Sequence, residues 1–196
     1  MKPNRAWFAV IGMTTAFCAI PARAQVETYT IDPRHTFPFF EIEHGGLSMQ
    51  VGRFNETRGK VTLGPAAGTG SIEVTINAAS VSTGFEPLEK HLRSDNFFNV
   101  AAFPTITYVS KRMKFDGERP VGAEGELTLL GVTRSVPLVI ENFRCVVNQA
   151  SKRKSCGAQV SAVVHRPDFG FAPKYSPPAL GTDVRLRFPV EATLDQ

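Results

Sequence analysis

The chain has 196 residues, of which 42% are apolar and 20% are charged. This composition predicts one folded domain, or two at most, and excludes a disordered or fibrous protein. Three of the 22 Lys and Arg residues, but none of the 18 Asp and Glu residues, lie in the first 24 positions. The remaining chain therefore has a formal net charge of 19 − 18 = +1, which does not indicate nucleic-acid binding.

Residues 1–24 have the three zones of a secretory signal peptide. The first five residues carry two cations, Lys2 and Arg5, and the segment 6–20 that follows is mostly apolar and uncharged. Ala22-Arg23-Ala24 then has small residues at the two positions that a signal peptidase recognises. We expect cleavage after Ala24 and export to the periplasm, with residues 25–196 as the mature domain. A membrane anchor is the alternative, but about 15 apolar residues fall short of the roughly 20 that span a bilayer.

Two cysteines, Cys145 and Cys156, remain once the leader is removed. An even number of cysteines in an exported chain predicts a disulfide bond. It would close a loop of about 12 residues and contribute a little under 3 kcal/mol in the chain-entropy model. A zinc site is the alternative, but two cysteines without a nearby pair of histidines cannot supply four ligands.

Apolar and polar residues alternate along most of the mature chain, which is the period of a β-strand with one buried face. Glycine- and proline-containing turns separate eight predicted strands, at 40–44, 49–63, 72–76, 106–110, 127–129, 136–140, 160–164 and 184–190. The segment 86–93 breaks this period and predicts a short helix that begins near Pro87. Pro38, just before Phe39 and Phe40, predicts an edge, a bulge or a seam.

Eight antiparallel strands with one apolar face can form either a sandwich or a closed barrel. The predicted inward residues mix aromatic rings with small side chains such as Ser110 and Ala162. An eight-stranded barrel with such an interior has room for a long, narrow cavity, but alternation alone also fits an ordinary filled core.

No pattern in the sequence indicates catalysis. There is no G-x-S-x-G motif, no Cys-His pair outside the expected disulfide and no glycine-rich phosphate loop. None of the four histidines has the helical spacing of a zinc site. We therefore expect no metal, no cofactor and no enzymatic activity. The alternative is an enzyme acting on a lipid amide or a quinone, with His44 or His91 as its acid or base.

Eight ordered blocks of sequence resemble the YceI-like family of periplasmic lipid-binding proteins. They are YTIDPRHT at 29–36, FEIEH at 40–44, VGRF at 51–54, ASVSTG at 79–84, HLRSDNFF at 91–98, FPTITY at 103–108, GELTLLGVT at 125–133, and the cysteine pair with CGA at 156–158 and RPDFG at 166–170. The resemblance implies an all-β fold, an extended eight-stranded antiparallel β-barrel of lipocalin-like shape with one short helix. It also implies a long-chain lipid or isoprenoid quinone as ligand and a membrane cytochrome as a partner; a homodimer stays open.

The candidate ligand-binding residues are those expected to face the inside of the barrel, with plain core packing as the alternative for each. His44, near a strand end, is a candidate donor to the ligand's head group. The full set is Phe40, Ile42, His44, Phe54, Ile72, Val74, Ile76, Phe97, Phe98, Phe103, Ile106, Tyr108, Leu127, Leu138, Val160 and Val164. The protein would then be a carrier that encloses a lipid tail. An interaction protein with a filled core is the further alternative, and a lipid-sized cavity would distinguish the two.

Overall fold

The computed structural model describes residues 26–196, so the predicted leader and its cleavage site lie outside the described residues. Within this range the chain forms an antiparallel β-sheet, one α-helix and three short 3-10 helices. The elements are β1 (Glu27–Ile31), β2 (Phe39–His44), β3 (Ser48–Phe54), β4 (Thr57–Gly64), β5 (Thr69–Asn77), β6 (Val81–Ser82), α1 (Glu86–Arg93), β7 (Thr105–Asp116), β8 (Arg119–Leu129), β9 (Val132–Val147), β10 (Lys154–His165) and β11 (Leu180–Leu194). No helix in residues 26–196 is long and apolar enough to cross a membrane.

Eight of the strands close into a barrel, in the order β1-β4-β5-β7-β8-β9-β10-β11, and β11 returns to β1. At this closure Tyr29 lies opposite Leu194 and Ile31 lies opposite Ala192. The predicted eight-stranded antiparallel barrel with one helix is therefore confirmed. Closure gives each of these eight strands a hydrogen-bonded neighbour on both sides.

Strands β2, β3 and β6 extend the wall beyond the ring of eight. β1 has five residues and β11 has fifteen, so β1 covers only the last part of β11. β2 pairs with the earlier part, from Leu180 opposite His44 to Leu186 opposite Phe40. The predicted strand at 49–63 is divided, because β3 pairs with β2 and β6 whereas β4 pairs with β1 and β5.

The turn after β1 fixes the place where β11 changes partner. The backbone N–H of Asp32 donates to the carbonyl of Glu191 at 2.8 Å, and the buried Thr36 hydroxyl accepts from the N–H of Glu191 at 3.1 Å. Pro38 directly precedes β2, and its carbonyl accepts from the N–H of Phe54 at 3.0 Å. Proline has no N–H to donate, so it suits this seam between two strand partners.

The predicted disulfide is confirmed. Cys145 of β9 and Cys156 of β10 are direct register partners, and their sulfur atoms are bonded at 2.03 Å. The bond joins the two long strands near the tip of their hairpin.

The predicted helix is also confirmed as α1, with Pro87 in its first turn. The Glu89 carboxylate accepts hydrogen bonds from the backbone N–H groups of Thr83 at 2.8 Å and Gly84 at 3.1 Å. These bonds fasten the helix to the segment that leads into it, and Leu92 of α1 packs against the core of the barrel.

Candidate functional site

Two cavities lie end to end inside the barrel. The larger cavity has a volume of about 140 Å³, and its lining residues on β11 lie between 186 and 192. The smaller cavity has a volume of about 130 Å³, and its lining residues on β11 lie between 180 and 186. Four residues, Pro38, Ile76, Leu127 and Leu186, line both cavities. This ring of shared residues is the boundary between two halves of one elongated interior.

The interior is long relative to its width. Leu180 and Ala192 mark its two ends on β11 and are 192 − 180 = 12 residues apart. At about 3.3 Å per residue and a strand tilt of about 40°, this separation corresponds to roughly 30 Å along the barrel axis. Such a shape suits an extended chain better than a compact molecule.

The surface that faces both cavities is apolar. It is formed mainly by aliphatic and aromatic side chains on alternating strand positions, which is why they share the inner face. Among the described residues that line the cavities, Arg166 alone carries a formal charge. An apolar chain would therefore meet no unpaired charge along the wall.

Aromatic rings gather around the smaller cavity without filling the barrel. The centroid of the Phe98 ring is 5.3 Å from that of Phe54 and 4.8 Å from that of Phe171. Phe40 lies 5.8 Å from Phe54, and Phe97 lies 5.8 Å from Phe171, again between ring centroids. Tilted and edge-on pairs of this kind form a stable apolar lining.

The buried Arg166 holds the segment that closes the end of the smaller cavity. Its guanidinium donates to five backbone carbonyls, those of Phe171, Ala172, Tyr175, Leu180 and Gly181, at 2.5–3.1 Å. A guanidinium has five N–H donors, so all of them are used. Burial lowers the pKa of this group. Arg166 therefore organises the loop before β11 and has no free donor for a ligand.

Two tyrosines line the larger cavity with their rings and bond protein groups with their hydroxyls. The Tyr108 hydroxyl donates to the carbonyl of Val136 at 3.0 Å, and burial raises the pKa of this phenol. The Tyr29 hydroxyl donates to the Glu27 carboxylate at 2.6 Å, which Lys154 also contacts at 2.6 Å. The hydrogen bond from Lys154 lowers the pKa of Glu27. Both rings thus present carbon to the cavity.

The match to a family of known sequences covers most of the barrel. The YceI-like domain matches residues 29–192. This chain belongs to the YceI-like family. The resemblance noted in the eight blocks of sequence is therefore confirmed, and the matched range begins in β1 and ends in β11, the two strands that close the ring.

Two relatives in this family show the same degree of identity. A UPF0312 protein of Shewanella denitrificans is 38% identical over 122 residues, which is 61% of this chain and 64% of the relative. Protein YceI of Escherichia coli O157:H7 is 38% identical over 136 residues, which is 66% of this chain and 70% of the relative. The match thus spans less than two thirds of the Shewanella protein.

Solved structures share the barrel fold. BcnA of Burkholderia cenocepacia has a TM-score of 0.68 at 20% identity and covers 83% of this chain and 99% of its own. A protein of Saccharophagus degradans, described as a polyisoprenoid binding domain implicated in plant cell wall breakdown, has a TM-score of 0.59 at 15% identity, over 85% of this chain and 98% of its own. At these identities the similarity concerns the fold.

Most of the residues predicted to bind the ligand lie in the walls of the two cavities of this YceI-like barrel. The larger cavity contains Ile72, Val74, Tyr108, Leu138 and Val160. The residues that line the smaller cavity are Phe40, Ile42, Phe54, Phe97, Phe98, Ile106 and Val164, and Ile76 and Leu127 line both. Their role in binding stays a prediction.

Two predicted lining residues lie elsewhere. His44 is exposed at the end of β2, opposite Leu180, because the inner face of that strand reaches the rim of the barrel there. Phe103 is half-buried before β7 and packs against Gly131, where a Cβ would lie 2.9 Å from its ring. Phe103 lies outside any strand, so the alternation that placed it inward does not apply.

The second histidine considered as an acid or base also lies outside the two linings. His91 of α1 packs against Phe97, with 4.7 Å between ring centroids. In residues 26–196 no group of three or more His, Cys, Asp or Glu side chains is arranged to hold a metal ion.

Several lining residues were missed from the sequence. Tyr29, Thr57 and Met113 line the larger cavity, and Arg166 and Phe171 line the smaller one. Tyr29 and Arg166 lie inside blocks that resemble the family, and that resemblance was the signal that could have found them. Thr57 sits at a strand start, and its polarity hid it from a search for apolar alternation.

Proposed function

We propose that this YceI-like protein is a periplasmic carrier that encloses the tail of a polyisoprenoid, such as that of an isoprenoid quinone, or of another long-chain lipid. The observation that carries the proposal is the pair of apolar cavities lying end to end in a closed barrel. A chain threaded along this interior would exchange water for apolar side chains along its whole length. No chemical change in the lipid is required for this role.

The free energy of burial is adequate for binding when the cavity is already formed. Burying about 400 Å² of lipid surface at about 25 cal/mol per Å² yields about 10 kcal/mol. Loss of translational and rotational freedom costs about 4–15 kcal/mol. A preformed wall keeps the cost near the lower end, because the strands and their hydrogen bonds need no reordering on binding.

Independent observations support the ligand class and the compartment. The Saccharophagus protein of the same fold is described as a polyisoprenoid binding domain. The predicted leader and the Cys145–Cys156 disulfide support export into an oxidising compartment. A membrane cytochrome as partner remains a prediction from the resemblance, and a homodimer stays open.

A matched pair of tryptophan variants on β10 tests this proposal. Val160 is buried and lines the larger cavity, whereas Val163 on the same strand is 58% exposed on the outer face. Bound lipid is first removed from the purified protein by solvent extraction. The protein is then incubated with a long-chain prenylquinone, and its mass is measured by native mass spectrometry. We expect the wild type and Val163→Trp to gain the mass of one quinone and Val160→Trp to gain none.

Circular dichroism and thermal unfolding confirm that each variant is folded before loading is compared. Val164→Trp repeats the test at the smaller cavity, where Val164 is 4% exposed. Failure of the wild type to take up any long-chain lipid would overturn the proposal. If Val160→Trp and Val164→Trp take up as much quinone as the wild type, the lipid binds outside the two cavities.

A further inference from the structure

Thr57 is a polar residue without a hydrogen-bond partner in the wall of the larger cavity. It is 4% exposed, and it lines the larger cavity beside aliphatic neighbours. Among the buried side chains of residues 26–196, its Oγ1 is the only nitrogen or oxygen atom that no other protein group bonds. Buried hydroxyls in proteins are usually paired, so an unpaired one calls for an explanation.

Thr57 lies near the middle of the elongated interior. It is the first residue of β4 and lies opposite Ile76 of β5. Ile76 is one of the four residues that line both cavities. A group bonded to Thr57 would therefore sit near the boundary between the two cavities, well inside the barrel.

Thr57 presents carbon rather than its hydroxyl oxygen to the cavity, so donation to a ligand requires rotation of the side chain. Its Oγ1 exposes less than 1 Å², and the surface that faces the cavity is apolar. Rotation about the Cα–Cβ bond exchanges a threonine hydroxyl with other staggered positions. Because this hydroxyl bonds no protein group, the rotation breaks no existing hydrogen bond.

We propose that Thr57 donates a hydrogen bond to an uncharged oxygen acceptor on the enclosed ligand, such as a quinone carbonyl. This inference rests on the proposed function, since it concerns the ligand of the same cavity. It places the polar end of the molecule inside the barrel, near Ile76, rather than at the rim near His44. The ligand class is then a lipid with a neutral oxygen-bearing head.

The same walls argue against an anionic head group inside the barrel. Arg166 is the one charged residue among the described lining residues, and its five donors are all bonded to backbone carbonyls. A buried phosphate or carboxylate would find neither a free cation nor enough hydrogen-bond donors among these lining residues. Burying an unpaired charge is strongly unfavourable.

Two substitutions separate the hydroxyl from the shape of the side chain. Thr57→Val keeps the shape and removes the hydroxyl, whereas Thr57→Ser keeps the hydroxyl and removes a methyl group. Each variant is titrated with decylubiquinone and with decylbenzene, which has a ring and the same alkyl chain but no oxygen. Affinity is measured by displacement of the fluorescent dye N-phenyl-1-naphthylamine.

We expect Thr57→Val to bind decylubiquinone about three- to ten-fold more weakly than the wild type, with unchanged affinity for decylbenzene. Thr57→Ser should retain a preference for the quinone. The thermal midpoint of ligand-free Thr57→Val should be equal to or about 2–4 °C above that of the wild type, since an unpaired buried hydroxyl is removed. A merely structural role of the hydroxyl would instead lower the midpoint.

The outcomes distinguish this inference from the proposed function. If neither compound displaces the dye from the wild type and no longer-chain lipid binds, the carrier proposal fails. If both compounds bind and Thr57→Val weakens neither or weakens both equally, the carrier proposal stands and the role of Thr57 is overturned. A lowered midpoint in Thr57→Val would also overturn it.

Discussion

The ring of Tyr108 on β7 lies across Gly125 on the neighbouring strand β8. A Cβ atom at Gly125 would stand 2.5 Å from both Cζ and Oη of this ring. The phenol reaches over β8 to donate to the carbonyl of Val136 on β9 at 3.0 Å. The missing side chain at Gly125 therefore lets the ring lie flat against the wall, which keeps the larger cavity open beside it.

Replacing Gly125 with alanine should destabilise the barrel. The added methyl group overlaps the ring and the carbonyl of Val109 at 2.7 Å, so Tyr108 must move into the cavity. We expect a loss of about 1–3 kcal/mol in the free energy of unfolding, measured by urea denaturation. Gly157→Ala is the control, because a Cβ there meets nothing closer than 3.4 Å. Equal stability of Gly125→Ala and the wild type would contradict the packing.

Tyr108 should also make the barrel less stable at high pH. Burial raises the pKa of its phenol, whereas the unfolded chain has the ordinary value near 10. Above about pH 10 the unfolded state releases a proton that the folded state keeps. The free energy of unfolding should therefore fall as pH rises, by up to about 1.4 kcal/mol per pH unit from this group.

Denaturation of the wild type and Tyr108→Phe between pH 8 and about pH 11.5 measures this contribution. The variant should be about 0.5–1.5 kcal/mol less stable at pH 8, because it loses the bond to Val136, and should show a shallower decline above pH 10. Tyr29, whose pKa burial also raises, is present in both proteins, so the difference isolates Tyr108. If the free energy of unfolding falls equally steeply with pH in both proteins, the pH dependence does not come from Tyr108.

Substitution of Arg166 should loosen one end of the barrel. Arg166→Lys retains the charge but cannot reach all five carbonyls from one ammonium group. We expect a loss of about 3–5 kcal/mol in stability and faster amide hydrogen exchange in the segment 171–181. Arg187→Lys, on the outer face of β11, should change neither quantity. Normal protection of 171–181 in Arg166→Lys would show that other contacts hold this loop.

Removal of the disulfide should weaken the hairpin of β9 and β10. The bond links residues 11 apart in sequence, so the chain-entropy model assigns it a little under 3 kcal/mol. Replacing both Cys145 and Cys156 with serine should lower the unfolding free energy by about 2–3 kcal/mol. A reductant should destabilise the wild type by a similar amount and leave the double variant unchanged. Wild-type stability that does not respond to a reductant would contradict this expectation.

The alternation of side chains predicted the barrel well because each strand position faces either the core or the solvent. It was less informative where the chain changes partner. The continuous pattern over 49–63 conceals the step from β3 to β4, and β1 was missed although its five residues complete the ring. A local pattern reports which face is apolar, but it does not report which strand lies alongside.

The sequence by itself determined the membership in the YceI-like family, the all-β class, the short helix at Pro87 and the pairing of Cys145 with Cys156. These depend on ordered blocks of sequence, local periodicity, turn residues and the number of thiols, which can be read along the chain. Only the tertiary structure decided that the interior is open. It also placed His44 on the rim, and it left Thr57 without a partner in the wall. Open space and an unpaired hydroxyl depend on side chains that converge from strands distant in sequence, and no linear pattern records how their volumes and hydrogen bonds add up.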